Sequence, residues 1–163
     1  MSDILRLLFV VLLLTIGLAA YFLVLNALFT PRIERTKSVA QLLPVRSAGI
    51  GLVNFVFFAV IATVLLAAAE TAGPILRVIL ILPAVVILAA LAFVLSLGLV
   101  AMSNLIGEKI FPDFSAWKQT LWGTVCLSLA CVLPFIGWFL LLPYVAFVGI
   151  GAVILGFLQR GKI

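Results

Sequence analysis

From Ile4 to Phe29 the chain is apolar for about 26 residues, broken only by Arg6, Thr15 and Asn26. Roughly 20 such residues cross a 30 Å hydrocarbon layer as a helix, with every backbone polar group satisfied inside the segment. Comparable runs follow at 48–69 and 75–102, and residues 120–158 are apolar for nearly 40 more. Of the 163 residues, 67% are hydrophobic and 9% charged, where soluble domains carry about 25% charged. A soluble fold would expose far more than the few hundred Å² of apolar patch that a monomer tolerates. The expected fold class is an all-α integral membrane protein, a single domain over 1–163.

Five transmembrane helices are expected, at about 4–29, 48–69, 75–102, 117–133 and 138–158. The last two come from folding the closing run on itself, because one straight helix would reach about 58 Å at 1.5 Å per residue. Leu133-Pro134-Phe135-Ile136-Gly137-Trp138 supplies the proline and glycine for that reversal. Four spans with a re-entrant C-terminal hairpin are the alternative. A cleaved signal peptide would have an apolar core of about 7–15 residues, so the first run reads as a retained span.

The polar segments are 30–47, 103–116 and 159–163, and all three are expected in the cytoplasm. Thr30-Pro31 reads as an N-cap followed by proline at the first helical position. Ile33, Val39, Ala40, Leu42 and Leu43 can share one side of a short interfacial helix ended by Pro44. Arg32, Arg35, Lys37 and Arg46 would then meet anionic lipid headgroups. A solvated basic loop is the competing reading. Glu70, Thr71, Gly73 and Pro74 suggest a tight turn, Pro83 a kink in the third span, and Phe111-Pro112-Asp113 a second turn. Trp117 and Trp122 suit an aromatic belt.

Counting Lys and Arg by loop gives the orientation. With 30–47 inside, five spans put Arg32, Arg35, Lys37, Arg46, Lys109, Lys118, Arg160 and Lys162 on the same side, eight of the ten. Arg6 and Arg77 fall outside. The N-terminus is expected outside and the C-terminus in the cytoplasm of a bacterial inner membrane. A re-entrant hairpin gives the same count. The net charge of +5 is accounted for by these loops and makes no case for nucleic acid.

Few chemistries fit. The chain has no histidine, which removes the commonest metal ligand and general base. Cys126 and Cys131 are five apart, off a shared helical face, and read as small buried hydrophobes. Phosphate loops, nucleophile triads and metal-ligand clusters are absent from the sequence. No enzyme activity, catalytic residue, metal or cofactor is expected. Ionisable groups inside a membrane usually mark ion or proton paths, and here none lies mid-span. Glu70 and Arg77 are placed as an ion pair on the outer face.

Asn54 is the polar residue that stands out, because a bare amide in lipid costs several kcal/mol on transfer scales, roughly 4–8 to cyclohexane. It is expected against another helix or a partner. Small residues recur four apart at Ala59, Thr63 and Ala67, at Ala92 and Ser96, and at Ala152 and Gly156. Such spacing lets helix backbones approach closely. Gly149 and Gly151 suggest another close contact in the last span.

Phe29-Thr30-Pro31-Arg32 after the first span, the turn Leu133-Pro134-Phe135-Ile136-Gly137-Trp138 and then Gly149-Ile150-Gly151-Ala152 resemble the multi-span membrane domain attached to bactofilin-type polymer-forming cytoskeletal proteins. The resemblance covers most of the chain through mainly apolar motifs. It implies a helical membrane domain and no catalytic residue. The repeated short strands of that family's polymerising domain do not occur in these residues, so filament formation is not implied.

These readings converge on a non-catalytic accessory or scaffold subunit, packed against other integral membrane subunits. An energy-transducing complex of respiration or photosynthesis is one plausible host. A small homo-oligomeric channel or transporter is a second reading, with Asn26, Asn54, Thr63 and Ser96 to line a path. A third is a membrane anchor for a cytoskeletal or envelope protein, docked on the segment from Arg32 to Arg46.

Overall fold

The computed structural model describes residues 2–132, 135 and 137–158. The elements are α1 (Ser2–Leu42), α2 (Pro44–Thr71), α3 (Pro74–Ile110), α4 (Ala116–Val132) and α5 (Leu142–Leu158), with a π-helical turn, Gly137–Leu141, leading into α5. No strand occurs among the described residues. Among the described residues, four helical stretches are long and apolar enough to cross a membrane: Leu8–Leu42, Pro44–Thr71, Pro74–Ile110 and Phe139–Leu158. With 17 residues, or about 26 Å, α4 falls short of them. Five spans were expected from the sequence, and four helices meet the length.

Prolines set most of the boundaries. Pro44 begins α2 one residue after Leu43, and Pro74 begins α3 after Gly73. Proline is suited to a first helical turn because its missing N–H would be unpaired there anyway. The second span thus starts at Pro44, ahead of the expected Ala48. Inside α1 the backbone leaves helical geometry at Phe29 (φ −123°, ψ 28°), so the chain turns one residue before the expected break at Thr30. Thr30 is not an N-cap, however. Pro31 has no N–H for the Ala27 carbonyl, and the Thr30 hydroxyl donates back along the helix to Asn26 O at 2.6 Å, with Ala27 O at 3.4 Å. The backbone of α3 stays helical through Pro83.

The third helix runs on past Met102 to Ile110, so Ser103, Asn104 and Gly107 lie inside α3 and are buried. Phe111 ends it and the expected turn follows. Leu133, Pro134 and Ile136 of the closing turn lie outside the described residues, as do Arg160, Lys162 and the segment 159–163. The turn's last glycine is described. A Cβ on Gly137 would strike the Ala130 carbonyl oxygen, so the chain doubles back tightly at this point.

Glycine contacts hold the bundle together. In α2 and α5, Gly51 lies against the Phe147 carbonyl and Gly151 against the Ser47 carbonyl, which makes these two helices antiparallel. Gly98 of α3 meets Gly149 of α5 backbone to backbone, while Gly107 and Gly123 bring α3 against α4. Such approach maximises van der Waals contact where lipid removes the hydrophobic drive between helices. The second half of α1 completes the core. Its Ile33 joins Phe22, Leu25, Leu97, Val100, Ala101 and Val153. Val39 and Ala40 join Met102, Leu105, Leu127, Val145, Val148 and Ala152.

Burial is uneven along the chain. From Leu52 to Ser96 only Ala62, Ala69 and Ala84 are buried. This stretch is the far part of the α2–α3 hairpin, seamed by alanine and apolar on its outside, with Val53, Val64, Leu82 and Val86 each more than half exposed. The first half of α1 is likewise exposed from Leu8 to Leu18, apart from the partly buried Val11 and Thr15. A chain alone in water would not sustain this surface.

Candidate functional site at the basic end of the bundle

Three helices meet in a polar seam. Asn104 Nδ2 donates to Asn26 Oδ1 at 2.9 Å, and Asn26 Nδ2 donates to Thr120 Oγ1 at 3.2 Å. Thr120 passes its own proton to the Ala116 carbonyl at 3.0 Å. One turn along α4, Thr124 donates to the Thr120 carbonyl at 2.7 Å. A hydroxyl has one proton to give, so in the 3.0 Å contact between Ser103 and Thr124 it is Ser103 that donates. Asn104 Oδ1 is buried without a partner. The seam consists of amides and hydroxyls, none of which titrates near neutral pH. It fixes the register of α1, α3 and α4.

The sequence reading missed Ser103, Asn104, Thr120 and Thr124 as a group. By sequence Ser103 and Asn104 read as part of a polar segment, and Thr120 and Thr124 as part of an apolar run. A usable signal existed: Ser103 and Gly107, and Thr120 and Thr124, are each four apart, the same small-residue spacing noted elsewhere. Asn26 reads from sequence as a polar break in the first span and as lining for a path.

Beyond the seam lie the charges. Lys37 Nζ is 2.8 Å from Glu34 Oε2 and 3.0 Å from Glu108 Oε2. This contact brings the end of α1 to the end of α3, so Arg32, Arg35, Lys37, Lys109 and Lys118 share one end of the bundle, with Arg46 at the start of α2. Glu70 and Arg77 flank the turn at the other end of the α2–α3 hairpin. Both are exposed, and no ion pair joins them among the described residues. Because Glu34 remains beside Lys37, Glu108→Gln is expected to cost at most about 1 kcal/mol. Denaturant unfolding of the detergent-solubilised variant measures it, and a larger loss would mean that Lys37 depends on Glu108 alone.

Arg32 and Arg35 are arranged differently from Lys37. They line a cleft of about 240 Å³ between α1, α3 and α5, with Pro31, Thr36, Leu97, Val153, Gly156 and Phe157. The Arg32 guanidinium carbon lies 5.6 Å from the Phe29 ring centroid and 5.4 Å from that of Phe157. Arg35 lays its stem along Gly156, whose Cβ position is 3.6 Å from Arg35 Cγ. Nearby, Phe111 stacks on Phe114 at 5.1 Å, Trp122 approaches Phe111, and Lys118 Nζ sits over Phe114 and Trp117. Trp117 and Trp122 are both exposed. A second cavity, about 340 Å³ and apolar, lies between α1, α3, α4 and α5 beside Phe22, Leu99, Leu127 and Val145.

The small-residue positions divide. Ala152 and Gly156 are buried in α5. Ala59 and Ser96 are partly buried, while Thr63, Ala67 and Ala92 are exposed. Asn54 is partly buried and donates to the Ile50 carbonyl of its own helix at 2.9 Å. Thr63 and Ser96 likewise bond back to Ala59 O and Ala92 O, each at 2.8 Å. No three His, Cys, Asp or Glu side chains gather among the described residues. No family model matches this chain, and neither a curated protein nor a solved structure matches it.

Proposed function

We propose that this chain is a non-catalytic multi-pass subunit that scaffolds a larger bacterial inner-membrane assembly, with the basic end of the bundle in the cytoplasm. One observation carries the reading. The small residues Thr63, Ala67 and Ala92 point outward from a hairpin that buries only three alanines of its own. Small-residue stripes are where membrane helices approach one another, and here the chain provides no neighbour of its own. The polar groups of the bundle support the same reading. Those that join helices do so inside the seam or through the Lys37–Glu108 pair, and Asn54, Thr63 and Ser96 satisfy themselves within their own helices.

Disulfide or photochemical cross-linking in native membranes tests this. With Cys126 and Cys131 replaced by serine, a cross-linker at Ala67 (A67C) is expected to give one adduct of fixed mass with a different membrane protein. An adduct at twice the chain's own mass would support a homo-oligomer instead, and with it the channel or transporter reading. Labelling by lipid alone would overturn the subunit reading.

A further inference from the structure

We infer that the cleft between α1, α3 and α5 is a specific site for the phosphate of an anionic lipid headgroup, held by Arg32 and Arg35. The inference uses the membrane setting proposed above but does not depend on the subunit reading. Three observations support it. Arg32 is stacked by Phe29 and Phe157, which covers the guanidinium face and leaves its N–H edge for oxygen acceptors. Arg35 lines the same cleft and lays its stem against Gly156, which has no side chain to fill the space. Neither arginine has a carboxylate within ion-pair distance among the described residues, whereas Lys37, on the same stretch of α1, is neutralised by Glu34 and Glu108. Two uncompensated cations therefore converge on one cavity large enough for a phosphate.

The position of the cleft favours a lipid over a free phosphate. It opens where α1 bends at Phe29, just beyond the long apolar half of the helix. Phe157 in its lining is apolar and exposed, and Leu28 and Leu158, close by in sequence, are exposed as well. A headgroup phosphate seated between the arginines would have its acyl chains beside this surface. Basic pockets between helices at the cytoplasmic face are a known means of selecting anionic lipids. Of the four basic residues first grouped as headgroup contacts, the geometry selects Arg32 and Arg35. It leaves Lys37 to its carboxylates and Arg46 as an exposed residue on α2.

The test is lipid retention by the purified full chain, read by native mass spectrometry and thermal unfolding in neutral detergent. Wild type and R46Q are expected to keep one phosphatidylglycerol in preference to phosphatidylcholine, and to gain thermal stability from it. R32Q/R35Q is expected to bind phosphatidylglycerol at least about tenfold more weakly. G156L, which fills the cleft while keeping both arginines, should lose the preference as well. This second variant decides the matter if the double variant does not fold. Equal retention of the two lipids by wild type would overturn the inference, as would an undiminished preference in G156L. Stabilisation by inorganic phosphate equal to that by phosphatidylglycerol would replace the lipid with a free anion.

Discussion

Gly151→Ala is expected to disrupt the bundle, at a cost of about 3 kcal/mol or more, the upper range for overpacking. The added Cβ would land on the Ser47 carbonyl oxygen and within 2.9 Å of the Gly51 backbone nitrogen. Both obstacles are main chain, so no rotamer change relieves the clash and α2 must move off α5. Gly49→Ala is the matched control. It sits two residues from Gly51 on α2 with nothing within 4 Å of its Cβ position. Alanine exceeds glycine in helix propensity by about 1 kcal/mol, so G49A should leave stability unchanged or raise it. Thermal unfolding of both variants in one detergent makes the comparison. Equal behaviour would show that the α2–α5 contact is looser than this geometry.

Asn104→Leu has the next largest expected effect. It removes the donor to Asn26 Oδ1 and leaves that oxygen unpaired at the junction of α1, α3 and α4. Interhelical hydrogen bonds within membranes average about 0.6 kcal/mol and reach about 1.7, while an orphaned buried group costs about 1–3. A loss of about 2 kcal/mol is therefore expected for N104L alone. The pair N26L/N104L should lose less than the sum of the two single variants, because it leaves no amide of the pair unsatisfied. Strict additivity in this cycle would mean that the two asparagines are not coupled.

Length and turn chemistry made the long helices legible. The apolar runs located α1, α2, α3 and α5, and the turn at Thr71–Pro74 and the reversal near Gly137 followed from proline and glycine. Helix ends were harder to read. Polar residues at 103–110 suggested a loop, yet they continue α3 because Ser103 and Asn104 find partners on α4 and α1 across the bundle. Sequence alone cannot display those partners, since Asn26, Asn104 and Thr120 are separated by 78 and 94 positions. Small-residue spacing was informative about close packing but not about which stripe is internal. Gly149, Gly151, Ala152 and Gly156 are buried, while Thr63, Ala67 and Ala92 are exposed. The buried set is mostly glycine and the exposed set alanine and threonine, but which helix each faces is set by where α5 crosses α2 and α3.

That difference underlies the proposed role: the packed end of the bundle turns its small residues and helix-joining polar groups inward, and the α2–α3 hairpin presents an apolar, small-residue surface outward. The measurement to make first is the intact mass of the particle extracted gently from native membranes. A subunit is expected to travel with larger membrane proteins at fixed stoichiometry, and to lose that association when Ala67 and Ala92 are replaced by leucine. Migration as a lone chain, or as a ring of identical chains, would contradict the subunit reading.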